Sequence, residues 1–161
     1  MIENIKSEDI SAYSALVTAV IALVALIIAV VQVVVSKHEA RLGIAKSIYK
    51  DYLALAFANP QLSSPSYPKN SPRFKTFSKS TDDYERYEYF VSYLLFAAEE
   101  ILDLTKNSTA WRNTLRDQIR WHALYLESVD FIEQHYSFDL LALVEEAISE
   151  YNNEDTHDGD V

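Results

Sequence analysis

The stretch ALVTAVIALVALIIAVVQVVV, Ala15 to Val35, decides how this chain is organised. It lies within a longer run, Ile10 to Ser36, that contains no charged residue. An apolar helix needs about 20 residues to cross the hydrocarbon core of a bilayer, and this run is longer. A cleaved signal peptide would need a basic start and a shorter apolar region, whereas residues 1–10 are net acidic. The pattern therefore predicts an uncleaved transmembrane helix over residues 12–36, preceded by a short N-terminal segment, residues 1–11.

Basic residues on the two sides of the predicted span indicate its orientation. Only Lys6 precedes the span, while Lys37, Arg41, Lys46 and Lys50 follow it closely. Lys and Arg concentrate on the cytoplasmic side of membrane helices. We therefore expect a single-pass protein with its N-terminus outside and its C-terminal domain in the cytoplasm.

Small residues recur along one face of the span at alternating steps of three and four. They are Ala15, Thr18, Ala22, Ala25, Ala29 and Gln32. Small side chains let a second helix approach closely in lipid, and the Gln32 amide can hydrogen bond across such a contact. The row is typical of a self-association face with left-handed crossing, or simply of the alanine content that is common in membrane helices.

The sequence after the span predicts one all-α domain, residues 37–152. Only two glycines and four prolines occur in 161 residues, which favours helices over a sheet with tight turns. Apolar periodicity indicates helices ending before Pro60, starting near Asp82, covering residues 108–135, and following Ser137, which together predict a bundle of about four helices. The expected core residues are Val91, Leu95, Ile101, Leu115, Ile119, Leu126, Leu140 and Leu143.

Charge is sorted along the chain. Residues 37–81 carry eight basic and two acidic side chains, whereas residues 82–161 carry five basic and nineteen acidic ones. The basic, proline-containing loop 59–81 lies close to the predicted membrane surface, so it either contacts lipid headgroups or forms a solvated arm. The residues expected at the headgroups are Lys37, Arg41, Lys69, Arg73, Lys75 and Lys79. The acidic half disfavours nucleic acid as a partner, and the tail, 153–161, is predicted to be disordered.

Composition excludes several classes of site. The chain has no cysteine, so it has no disulfide, no thiolate zinc site and no cysteine nucleophile. Its two glycines, Gly43 and Gly159, stand alone and cannot form a phosphate-binding loop. The Glu-x-x-His spacing of helical di-iron sites occurs only at Glu154 and His157, in the predicted tail. We therefore expect no metal and no cofactor, and we favour a non-enzymatic role.

One short segment carries a possible catalytic signature. RDQIRWH, Arg116 to His122, resembles the arginine and histidine motif of the HEPN ribonucleases, which are small helical bundles that act as dimers. The resemblance implies that His122 handles protons at a ribose hydroxyl and that Arg116 holds the phosphate. On a straight helix these side chains lie about 120° apart around the axis, so they converge only if the helix breaks or a second copy completes the site. The other interpretation is a structural histidine on an apolar helix.

Three longer segments resemble those of bacterial proteins that have one N-terminal span and a small helical cytoplasmic domain. They are YKDYLALAFANPQLSSP (Tyr49 to Pro65), YERYEYFVSYLLFAAEEIL (Tyr84 to Leu102) and WRNTLRDQIRWHALYL (Trp111 to Leu126). The resemblance implies this architecture and a place in the bacterial inner membrane, and it transfers no functional residue.

From these observations we predict a membrane-anchored helical interaction or scaffold protein. It would self-associate through its span, with membrane lipid and its own copies or another membrane protein as partners. The alternative is a membrane-tethered HEPN-like ribonuclease using Arg116 and His122. A small subunit of a larger membrane complex would show the same features as the scaffold.

Overall fold

A computed structural model describes residues 2–66, 82–106, 108–128 and 131–157 of the chain. All regular secondary structure in these ranges is helical, which confirms the predicted all-α class. The chain divides into two compact units, Met1–Arg41 and Leu42–Val161, and each has its own character.

The first unit is helical and has no buried side chain among its described residues. Its helix is part of α1, Ile2–Ala58, and every side chain from Ile10 to Ala40 is exposed. The stretch Ile10–Ala58 is long and apolar enough to cross a membrane, with a mean hydropathy of 3.0 in its most apolar window and 0% of that window buried. From Ala15 to Val35 apolar residues lie on every side of the helix, so this part has no charged face to turn toward water.

The second unit, Leu42–Val161, contains the end of α1 and the remaining elements. These are α2 (Asp82–Thr105), α3 (Thr109–Ile119), a 3-10 turn (Arg120–His122), α4 (Ala123–Leu126), a second 3-10 turn (Glu133–His135) and α5 (Phe138–His157). α1 ends one residue before Asn59-Pro60, where the proline was predicted to stop it. α2 begins at Asp82 as predicted, with acidic residues in its first turn that complement the positive end of the helix dipole.

The core of the second unit lies where α2, α3 and α5 pack against one another. All eight residues predicted for the core are at most 4% exposed. The end of α1 adds Ala45 and Tyr52 to the same cluster, and Tyr87 and Phe90 of α2 bring further aromatic area. Burying one large apolar side chain contributes about 1.5–3 kcal/mol, so this cluster is the main stabilising element of the unit.

The uninterrupted helix predicted over residues 108–135 is wrong, because α3 ends at Ile119. Ser66, from the loop after α1, is 1% exposed and docks on the break. Its N–H donates to the Trp121 carbonyl at 2.9 Å, and its hydroxyl accepts from the Leu124 N–H at 3.3 Å. In a continuous α-helix these two groups would bond to Tyr125 and Arg120 instead. A serine distant in sequence thus supplies hydrogen bonds that allow the helix to break.

α5 starts at Phe138, as predicted, and Ser137 stands at its N-terminus. The Ser137 carbonyl accepts from the Leu141 N–H at 3.0 Å, and its own N–H donates to Glu99 Oε1 of α2 at 2.7 Å. The helix continues to His157, beyond Asn152, where the sequence placed the end of the domain. Residues 158–161 of the predicted tail lie outside the described residues.

Candidate functional site

The candidate site is built around the helix break, because that break fixes where Arg116 and His122 point. His122 has φ −117° and ψ 11°, outside the helical region. This conformation interrupts the helical hydrogen bonding at His122. Ser66 contacts the backbone on either side of it.

His122 is fully buried, at 0% exposure, and pairs with Tyr87 of α2. Its Nδ1 lies 3.0 Å from the Tyr87 hydroxyl oxygen, and its ring packs 5.8 Å from the Phe90 ring. Burial lowers the pKa of His122 to about 3 and raises the pKa of Tyr87 above its usual value. Both groups are therefore neutral near pH 7, and they form a neutral hydrogen bond inside the core.

The second ring nitrogen of His122 has no hydrogen-bond partner among the described residues. A buried polar atom without a partner costs about 1–3 kcal/mol, so most buried histidines are bonded at both nitrogens. The imidazole could exchange a proton with a substrate only if this part of the core opened.

Arg116 faces a different element, α5. Its Nε lies 2.6 Å from Glu150 Oε2, and Arg120 approaches the other oxygen of the same carboxylate at 3.5 Å. One turn earlier, Arg112 contacts Glu146 at 2.7 Å. Arginines spaced by four residues thus meet glutamates spaced by four on the neighbouring helix, and the resulting row of ion pairs joins α3 to α5.

The structure therefore does not bring Arg116 and His122 together. The helix does break between them, as convergence required, but His122 points toward Tyr87 of α2 while Arg116 points toward Glu150 of α5. In this arrangement His122 contacts α2 and Arg116 contacts α5, so the two residues link different pairs of helices.

Comparison with known proteins identifies no family for this chain. No family model, no curated protein and no solved structure matches the chain. Any functional conclusion must therefore come from the residues themselves.

The residues predicted for self-association and for headgroup contact differ in their exposure, and some of them lie outside the described residues. The row of small residues in the span is exposed along its whole length, and so is Lys37, while Arg41 is partly buried. Lys69, Arg73, Lys75 and Lys79, predicted to contact headgroups, lie outside the described residues.

Sequence reasoning missed an exposed aromatic face on the second unit. Tyr89, Tyr93 and Phe96 of α2 follow one another at steps of four and three and are 69%, 40% and 59% exposed. Ile132 and Phe138, from the segment that leads into α5, are also more than half exposed. The signal was present in YERYEYFVSYLLF, which has too many large apolar residues for one buried face. Exposed apolar surface of this kind is typical of an interaction site.

Proposed function

We propose that this chain is a membrane-anchored helical interaction or scaffold protein that self-associates through the apolar part of α1. The observation that carries the proposal is that none of the residues in its most apolar window, with a mean hydropathy of 3.0, is buried. Apolar surface left in water costs about 25 cal/mol per Å², so a helix exposed over this length needs lipid or another helix around it.

The arrangement in the membrane follows from the flanking charges. With Lys6 alone before the span and Lys37, Arg41, Lys46 and Lys50 after it, we place the N-terminus outside and the helical domain in the cytoplasm. The resemblance to bacterial single-span proteins favours the bacterial inner membrane. In this proposal the end of α1 together with α2, α3 and α5 forms a small cytoplasmic bundle.

Self-association is supported by the chemistry of the small residues. The Ser14 hydroxyl donates to the Ser11 carbonyl at 2.9 Å, and the Thr18 hydroxyl donates to the Ser14 carbonyl at 2.8 Å. These hydroxyls are satisfied within their own helix, so they do not oppose a position in lipid. The row from Ala15 to Gln32 then offers close packing, with the Gln32 amide as the polar contact to a second span.

The second unit would present its exposed aromatic face to a partner. Tyr and Phe side chains give large contact areas with little loss of conformational freedom, which suits a protein interface.

The test is the oligomeric mass in a mild non-ionic detergent, measured by light scattering. We expect a defined oligomer for the wild type and a monomer for Ala22→Leu/Ala25→Leu, because leucines would keep the two helices apart. Val20→Leu/Val24→Leu adds apolar volume on the opposite side of the helix and is the matched control, expected to remain oligomeric. A monomeric wild type, with no protein co-purifying from membranes, would contradict the proposal.

The alternative is a membrane-tethered ribonuclease using Arg116 and His122. The helix break at Arg120–His122 favours it, whereas the burial of His122 opposes it. RNA cleavage by the purified chain that is lost in both Arg116→Ala and His122→Ala, with helicity unchanged by circular dichroism, would support this alternative. Cleavage that persists in His122→Ala would eliminate it.

A further inference from the structure

A groove of about 290 Å³ lies between α2 and the segment Phe131–Tyr136. Its walls combine two carboxylates, Glu85 and Glu88, and the imidazole of His135 with aromatic rings that include Phe131 and Tyr136. This combination is found neither in the core nor in the Arg116–Glu150 row of ion pairs.

The α2 wall follows directly from helical spacing. Glu85, Glu88, Tyr89 and Ser92 stand at positions i, i+3, i+4 and i+7, so they share one face of the helix. The two acidic groups therefore lie one turn apart beside an aromatic ring.

A hydrogen bond links the end of the opposite wall to α2. The Ser137 N–H donates to Glu99 Oε1 at 2.7 Å. Phe131 and Tyr136 stack within this wall, with ring centroids 5.5 Å apart. The hydrogen bond and the ring stacking together hold the shape of this wall.

The charge of the groove selects the class of ligand. Within the described part of the chain, neither Glu85 nor Glu88 is ion-paired with a basic side chain. The arginines of α3 are already engaged with Glu146 and Glu150 on α5. The whole chain carries a formal charge of −10, so its field attracts cations.

Aromatic rings add to this preference. The face of a Tyr or Phe ring attracts a guanidinium or ammonium group within about 6 Å of its centroid. The volume of the groove is at the small end of ligand pockets, which suits one cationic head group with a short apolar stem.

We propose that this groove binds a guanidinium or alkylammonium group through Glu85, Glu88 and the surrounding rings. The group belongs either to an arginine or lysine side chain of a partner or to a free amine. All the residues involved lie in the unit Leu42–Val161, so the proposal does not depend on self-association through the span.

The experiment is an NMR titration of the isotope-labelled full chain in non-ionic detergent. The probes are a blocked Ala-Arg-Ala peptide, the same peptide with citrulline in place of arginine, and free argininamide. We expect the arginine peptide to shift the backbone signals of residues 131–136 and the uncharged citrulline peptide to leave them unchanged. Binding of the peptide alone would indicate a partner side chain, and equal binding of argininamide would indicate a small-molecule site.

Variants distinguish binding in the groove from a general effect of the net charge of the chain. Glu85→Gln/Glu88→Gln should weaken binding about tenfold, since it removes both negative charges from the groove and exposed ion pairs are individually weak. Glu100→Gln/Glu145→Gln makes the same change in net charge at exposed positions that do not line the groove, and it should bind like the wild type. Tyr89→Leu keeps the apolar volume and removes the ring, so it should weaken binding severalfold. Equal binding of the arginine and citrulline peptides, no binding of any cation, or equal losses in the two glutamate variants would overturn the proposal.

Discussion

The two units of this chain expose and bury the same kinds of side chain in opposite ways. Ile28, in Met1–Arg41, is 51% exposed, whereas Ile101, in Leu42–Val161, is 0% exposed. Both residues lie in regular helix. A helix that is apolar on every side must find its apolar surroundings outside its own fold, while an amphipathic helix finds them in its neighbours.

Truncating these two isoleucines tests the comparison with the largest expected effect. Ile101→Ala should lower the free energy of unfolding by about 2–5 kcal/mol, since it removes buried area and leaves a cavity. Ile28→Ala should leave that value unchanged within about 0.5 kcal/mol, because Ile28 is half exposed and does not belong to the core cluster of the described residues. The measurement is urea unfolding in detergent followed by tryptophan fluorescence, which reports the second unit because both tryptophans lie there. Similar losses in both variants would mean that Ile28 also has a protein neighbour.

The pH dependence of stability provides a second contrast, because His122 is buried in the core. The pKa of its imidazole is about 3 in the fold, against an ordinary value of 6.5. Below pH 6.5 the unfolded chain therefore binds a proton that the folded chain does not. The free energy of unfolding therefore has its full value, as far as His122 is concerned, above pH 6.5. It decreases progressively as the pH falls from 6.5 toward 3. Between pH 7 and pH 5 the free energy of unfolding should decrease by about 2 kcal/mol from this group.

A double variant isolates the contribution of His122. Tyr87→Phe/His122→Leu removes both members of the hydrogen bond, so neither is left buried without a partner. Its free energy of unfolding should show a pH dependence between pH 7 and pH 5 that is smaller than that of the wild type by about 2 kcal/mol. An identical pH dependence in the double variant and the wild type would show that His122 titrates normally.

The smallest effect concerns the loop that docks on the helix break. Ser66→Ala removes the hydroxyl that accepts from the Leu124 N–H and should lower the free energy of unfolding by about 1 kcal/mol. Among the described residues, the Ser63 hydroxyl donates to the nearby Pro60 carbonyl. Ser63→Ala should therefore change the free energy of unfolding by only a few tenths of about 1 kcal/mol. Equal effects of the two substitutions in urea unfolding would mean that the break does not depend on Ser66.

The elements governed by local sequence were predictable. The end of α1 before Pro60, the start of α2 at Asp82 and all eight core residues followed from a proline, a cluster of acids and apolar periodicity. The break after Ile119 was not predictable in this way, because residues 109–126 contain neither proline nor glycine. The hydrogen bonds that accompany it come from Ser66, which is far away in the chain.

The surroundings of the candidate site could be predicted only partly from the sequence. His122 continues the buried row Leu115, Ile119 and Leu126 at helical spacing, and this signal could have placed it in the core. Its pairing with Tyr87 and the contact of Arg116 with Glu150 depend on which helices become neighbours, which periodicity does not specify. The groove beside Glu85 also needs the segment Phe131–Tyr136, of which the sequence placed residues 131–135 inside a helix.

The contact between Ser66 and Leu124 has a consequence for the order of folding. The two residues are 58 positions apart. Bringing them together therefore costs chain entropy before their hydrogen bond can form and stabilise the fold. Until Ser66 arrives, local preferences in residues 109–126 favour a straight helix that differs from the final one. Local and final structure thus conflict at this point, which is uncommon in natural sequences. We expect the break, and with it the insertion of His122 beside Tyr87, to form late, after the first helices have already met.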